Sequence, residues 1–212
     1  MTSDLDLRER HELCDLFLEL GPEAPTLSGD WTTHDLAAHL VVRERDPLAG
    51  PGIMISALAG LTDKRMARAK EKHPYPELVE LVRTGPPFGP MKPAPIRYAA
   101  NMVEFFVHHE DVRRPAGRPQ RTDRPDLDDA LWDLLGRMGG LMVRKAGVKG
   151  VQVRLLRPDG QERRFGKGEV VTISGPPQEL VLELYGRRSA AQVAYEGPEA
   201  AVAGVKAAEF GI

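Results

Sequence analysis

A chain of 212 residues with 42% hydrophobic content can bury one sizeable core, or one domain core with a smaller one beside it. A net charge of −2 and a pI near 6.3 give no electrostatic reason to expect nucleic acid or an anionic membrane as partner. The single Cys14 excludes an internal disulfide and a zinc finger, and it fits a reducing cytoplasm.

The first residues, Met1-Thr-Ser-Asp-Leu-Asp-Leu-Arg-Glu-Arg10, are charged and lack the apolar core of a signal peptide. Leu13, Leu16, Phe17 and Leu20 recur at helical spacing, so residues 6–20 read as an amphipathic helix, with Cys14 as a buried, inert thiol. Gly21-Pro22 ends that helix. Thr32-x-x-Asp35 is a capping box that opens a second helix, and Asp46-Pro47 stops it near Arg45. A weaker helical pattern covers 53–72 and a short one 76–84. The weakly polar stretch Gly52–Leu61 is far short of the roughly 20 residues needed to span a bilayer, so a soluble cytoplasmic protein is expected.

The Pro/Gly-rich run from Gly85 to Pro95 cannot form a regular element and reads as a long loop or lid. Pro95 is well placed to start the next helix, which runs to about Arg113. A polar loop follows, and Leu127, Leu131, Leu134, Leu135, Met138 and Met142 mark a helix ending near Lys145. After Gly147 the period changes. Val151, Val153 and Leu155 alternate with Gln152 and Arg154 as in a half-buried strand, and Pro158-Asp-Gly160 turns the chain into Gln161–Phe165. Strands at Val170–Ser174 and Gln192–Tyr195 and helices at Pro176–Tyr185 and Pro198–Glu209 complete the pattern. The expected organisation is α+β: a helical bundle over 1–146 and a small α/β domain over 147–212.

Glu104 and His108 stand four apart in Asn101-Met-Val-Glu-Phe-Phe-Val-His-His-Glu-Asp111. On a helix they share one face, with Cβ atoms about 5–6 Å apart. Such a pair also occurs as an ordinary i,i+4 contact in solvent. Here the flanking Met102, Val103, Phe105, Phe106 and Val107 make the helix apolar nearly all round, and a buried carboxylate needs a partner or a metal. His39, among Leu36, Ala37, Ala38, Leu40 and Val41, lies on another apolar helix. Two imidazoles and one carboxylate form an N/N/O set that leaves one position open, as catalytic zinc sites require. His109 is the nearest rival to His108, but adjacent helical residues diverge by about 100°. Asp35 and Asp111 are placed to accept imidazole N–H groups behind the ligands. Arg97, seven residues before Glu104 and on its face, is the candidate for a substrate carboxylate. The cluster Arg113, Arg114, Arg118, Arg121 and Arg124 is offset by Asp123, Asp126, Asp128 and Asp129 and has no interleaved aromatics, so it reads as a solvated loop and not as a nucleic-acid site.

The segments Gly21-Pro-Glu-Ala-Pro-Thr-Leu-Ser-Gly-Asp-Trp31-Thr-Thr-His-Asp-Leu-Ala-Ala-His39-Leu and Glu104-Phe-Phe-Val-His108-His-Glu-Asp111 resemble the mycothiol-dependent maleylpyruvate isomerase family, within the DinB-like (YfiT-like) metal-binding four-helix bundles. Val170 to Arg187 resembles that family's small C-terminal domain. The resemblance implies a divalent metal, usually zinc, on His39, Glu104 and His108. It also implies a thiol cosubstrate, mycothiol in actinobacteria, acting on a small electrophilic substrate. Many family members carry an aromatic residue where this chain has Glu110, so the substrate itself is not implied. An S-transferase or isomerase using a metal-held thiolate is the leading expectation. A non-catalytic metal-binding or sensor protein, or a metal-dependent hydrolase, is the alternative, with the protein a monomer or dimer.

Overall fold

The structure is a computed structural model and describes residues 4–46, 59–87 and 93–211. The chain divides into two compact units, Met1–Gln120 and Arg121–Ile212. Together they form an α+β fold in which the sheet belongs to the C-terminal unit. No helix among the described residues is long and apolar enough to cross a membrane.

The first unit consists of α1 (Leu5–Leu20), α2 (Thr33–Arg45), α3 (Ala59–Lys72), α4 (Tyr75–Thr84) and α5 (Ala94–Arg113). Helix α1 packs along α5, α2 along α3, and α4 against both α1 and α2. Their apolar faces meet in one core built from Leu13, Phe17, Leu36, Leu40, Leu78, Val82 and Phe105. Cys14 lies inside it, its thiol donating to the Val79 carbonyl at 3.6 Å. Burial pushes the thiol pKa up to about 12, so an inert thiol is what this position holds. The capping box is formed: the Thr32 hydroxyl accepts from the Asp35 N–H, and the Asp35 carboxylate accepts from the Thr32 N–H at 3.0 Å. Residues 53–58 of the expected third helix and 88–92 of the expected lid lie outside the described residues. Pro93 caps α5 and Pro95 sits in its first turn, where a missing N–H costs no helical hydrogen bond.

The second unit holds α6 (Pro125–Lys145), β1 (Val151–Leu156), β2 (Glu162–Gly166), β3 (Glu169–Ser174), α7 (Pro177–Leu184), β4 (Ala194–Glu196) and α8 (Glu199–Ala207). The sheet order is β2-β1-β3-β4. Strands β1 and β3 run parallel, with Val153 beside Val171 and Leu155 beside Ile173, while the other pairs are antiparallel. Helix α6 packs on α7 and β2. Gly139 makes the latter contact possible, because a Cβ there would stand 2.6 Å from the Phe165 ring. The sequence-based division at 146 follows the change in periodicity, and the division at 120 follows packing.

Candidate metal centre

Helix α2 contributes His39 and α5 contributes Glu104 and His108. One ligand atom from each lies within 4.8 Å of the other two. His108 Nε2 is 3.2 Å from Glu104 Oε1 and His39 Nε2 is 3.5 Å from the same oxygen. The two imidazole centroids are 5.3 Å apart. A tetrahedral zinc site with bonds of about 2.0–2.1 Å places neighbouring ligand atoms about 3.3 Å apart, close to both distances to the Glu104 oxygen. Both imidazoles are buried, and the Glu104 side chain is 22% exposed.

The loop between α1 and α2 locks this arrangement. Pro25 bridges to Thr32, and the Thr26 hydroxyl donates to the Trp31 carbonyl at 2.8 Å. The loop is tied to α5 twice: the Leu27 N–H donates to the Asp111 carbonyl at 3.0 Å, and the Ser28 hydroxyl donates to Asp111 Oδ2 at 2.9 Å. Trp31 is thereby laid on His39, ring centroids 5.1 Å apart. Asp111 Oδ2 also pairs with His108 Nδ1 at 2.9 Å. A proton held on Nδ1 leaves the Nε2 lone pair facing Glu104, the tautomer a metal requires. His39 has no such support: its Nδ1 is buried and has no hydrogen-bond partner among the described residues.

The electrostatics follow from these contacts. Burial opposes ionisation of Glu104, but His108, His39 and the Arg43 charge outweigh it and hold the carboxyl well below its usual range. Burial also favours neutral His108, yet Asp111 and Glu104 together raise it to about 9. Burial lowers His39, and the Glu104 contact only partly opposes this. Without a metal, the cluster is therefore a carboxylate facing one readily protonated imidazole and one that resists protonation.

Arg43, one turn after His39 on α2, extends the site. Its Nε is 3.1 Å from Glu104 Oε1, its Nη1 donates to Asn101 Oδ1 at 2.8 Å, and its Nη2 donates to the Ala100 carbonyl at 2.9 Å. Asn101 in turn donates to Glu44 Oε1 at 3.1 Å, and Arg10 of α1 grips both Glu44 oxygens at 2.5 and 2.6 Å. A continuous polar chain thus runs from α1 through α2 and α5 to the three clustered side chains.

Among the residues singled out from the sequence, the structure brings together His39, Glu104, His108 and Asp111. It does not bring Asp35 to His39. That carboxylate is committed to the α2 N-terminus and to Lys70 Nζ at 2.7 Å, the contacts that hold it below its usual range against the effect of burial. Arg97 is likewise held elsewhere, donating from Nε to Asp6 at 2.7 Å and from Nη2 to Asp4 at 3.1 Å. His109 projects away from His108, with Nδ1 3.0 Å from Glu9 Oε2. With Glu12 it forms a second group of ligand-type atoms within 4.8 Å. Glu110 lies under Arg113 and Arg114. Sequence reasoning passed over Arg43, Asn101, Ser28 and Trp31 as parts of the site. Arg43 was findable, since it repeats the i,i+4 spacing from His39. Ser28 and Asn101 carry no such signal.

No protein-family model matches the chain, and no curated protein matches its sequence. Its fold is similar to the crystal structure of the mycothiol-dependent maleylpyruvate isomerase, with a TM-score of 0.62 at 16% sequence identity over 92% of each chain. At that identity the likeness establishes the architecture, and the chemistry must be argued from the side chains.

Proposed function

We propose that His39, Glu104 and His108 hold a divalent metal, zinc by the chemistry of the donor set, and that the chain is a thiol-dependent S-transferase or isomerase acting on a small electrophile. The observation that carries the reading is the convergence of three ligand atoms from two helices on one point, with Asp111 fixing the His108 tautomer. A dication there supplies the charge that lowers the pKa of a thiol at the remaining position. The chain's own residues do the rest. Asp111 and Ser28 aim His108, Trp31 packs against His39, and Arg43 restrains Glu104. Mycothiol is the proposed thiol, because the similar fold belongs to a mycothiol-dependent isomerase whose architecture this chain shares nearly end to end.

The test is metal analysis of the purified protein, then calorimetric titration of mycothiol into wild type, His108→Ala and His109→Ala, each checked for folding and metal content. One equivalent of metal and mycothiol binding that is lost in His108→Ala but kept in His109→Ala is expected. Equal binding by all three would replace thiol transfer with a sensor or hydrolase role. Metal retained in His39→Ala and Glu104→Ala would overturn the ligand assignment.

A further inference from the structure

Helices α2 and α3 flank a cleft of about 610 Å³, the size of a small-molecule site, and His39, Glu104 and His108 do not line it. Buried Val41 and Val42 of α2 give it an apolar wall. Arg45, Lys64, Arg65, Arg68 and Lys72 also line it, and among the described residues Asp46 is the carboxylate set against them. Arg65 pairs with Asp46, which cancels that one charge, and His73 is engaged by Glu77 at 2.7 Å. Arg45 keeps its charge, because the groups that fix it are neutral: it donates to the Leu81 carbonyl and the Thr84 hydroxyl at 3.0 Å each, and to the Gly85 carbonyl. Lys64, Arg68 and Lys72 are exposed and have no carboxylate within ion-pair distance among the described residues. They stand four apart on one face of α3, a spacing at which like charges oppose helix formation. Helix stability thus gives no reason for the repeat, and the chain's net charge of −2 conceals it.

We propose that this cleft binds a small soluble molecule through a diphosphate or similarly multiply charged phosphate group. The proposal stands apart from the metal reading, since it uses none of those ligands. Arg45, Lys64, Arg68 and Lys72 remain as excess cations around one cleft, which calls for more than one negative charge. The planar guanidinium fork of Arg68 matches a pair of phosphate oxygens. The large exposed apolar side chains among the described residues, Leu18, Ile96, Leu141 and Val170, lie on neither α2 nor α3. A basic surface that docks on a membrane needs such side chains to insert, so the phosphate is that of a soluble molecule and not of a lipid headgroup.

The test is calorimetric titration of inorganic pyrophosphate into wild type, Lys64→Gln/Arg68→Gln, His108→Ala and Arg137→Gln/Arg144→Gln, with thermal melting recorded for each. The last variant makes the same change in net charge on exposed positions of α6. A unit charge about 4 Å from a bound anion is worth about fivefold in affinity in water, so Lys64→Gln/Arg68→Gln should bind about tenfold or more weakly. Saturable one-site binding by wild type, kept within about threefold in the other two variants, is expected. If Lys64→Gln/Arg68→Gln does not fold, Arg68→Gln/Lys72→Gln on the same face takes its place with the same expected loss. No saturable binding by wild type, or an equal loss in the α6 variant, would overturn the proposal. Loss in His108→Ala would move the anion to the metal centre and overturn it as well. Co-sedimentation with phosphatidylglycerol vesicles, in a protein that does not bind pyrophosphate, would replace the soluble ligand with a membrane surface.

Discussion

Replacing Arg10 by Met should destabilise the first unit more than any other single change to its polar network. The Arg10 and Glu44 side chains are 2% and 1% exposed and meet through two contacts of 2.5 and 2.6 Å. Arg10 Nη1 also donates to the Val82 carbonyl at 2.6 Å, and the guanidinium lies 4.2 Å from the centre of the Phe105 ring. Methionine fills much of the same volume, so the loss is electrostatic rather than a cavity. It leaves Glu44 as a buried carboxylate held by the Asn101 amide at 3.1 Å, with the Val82 carbonyl deprived of this donor. Stranding one member of a buried pair costs about 3–5 kcal/mol. Neutralising the other member as well removes the stranded charge, so Arg10→Met/Glu44→Gln should recover about 1.5 kcal/mol or more of that loss. Urea unfolding of the metal-free protein measures this, followed by Trp31 fluorescence in a Trp132→Phe background so that the signal reports the first unit alone. A cost below about 1 kcal/mol for Arg10→Met, or a double variant no more stable than the single one, would refute the reasoning.

Three further outcomes follow from the site. Asp111→Asn keeps the shape but removes the charge behind His108. It should weaken metal binding about 10- to 100-fold in competition with a chromophoric chelator. In the metal-free protein, burial works against protonating His108 but Asp111 and Glu104 raise it to about 9, from an ordinary value of 6.5. The folded state thus favours the imidazolium, a contribution present in full below pH 6.5 and lost as pH rises through about 9, so the chelated protein's urea midpoint should fall more between pH 7 and pH 10 in wild type than in His108→Gln. His39→Leu removes a buried ring nitrogen that has no partner among the described residues, so the metal-free variant should melt at or above wild type while the rise in melting temperature on adding metal disappears.

The bundle helices were legible because their apolar positions recur at helical spacing and their ends carry chemistry: Thr32 and Asp35 form the expected box, and Pro95 sits in the first turn it was expected to start. The sheet was legible from alternation at Val151, Val153 and Leu155, which are buried while Gln152 and Arg154 are not. The convergence of His39 with Glu104 and His108 was legible as a pattern on two helices, and the fold supplies their proximity. Asp35 and Arg97 show the limit of spacing. Each lies on the helical face read for it, yet each is drawn away by a nearer opposite charge, Lys70 for one and Asp6 with Asp4 for the other. Spacing along one helix defines a direction. It does not reveal which charges the neighbouring helices bring into that direction.

The same contacts separate the groups that stabilise the bundle from those that do not. Arg10 and Asn101 both donate to Glu44, and removing Arg10 leaves that carboxylate without its buried cation. The cluster of His39, Glu104 and His108 is different. A buried polar atom without a partner costs about 1–3 kcal/mol, and among the described residues His39 Nδ1 has none. Glu104 gathers two imidazoles and a guanidinium on one oxygen although a single cation would suffice to neutralise it. Well-packed apolar side chains of similar volume would hold these helices together as well or better. Fold stability therefore gives no account of this set. The proposed cation would, because one ion could be reached by ligand atoms of all three side chains together.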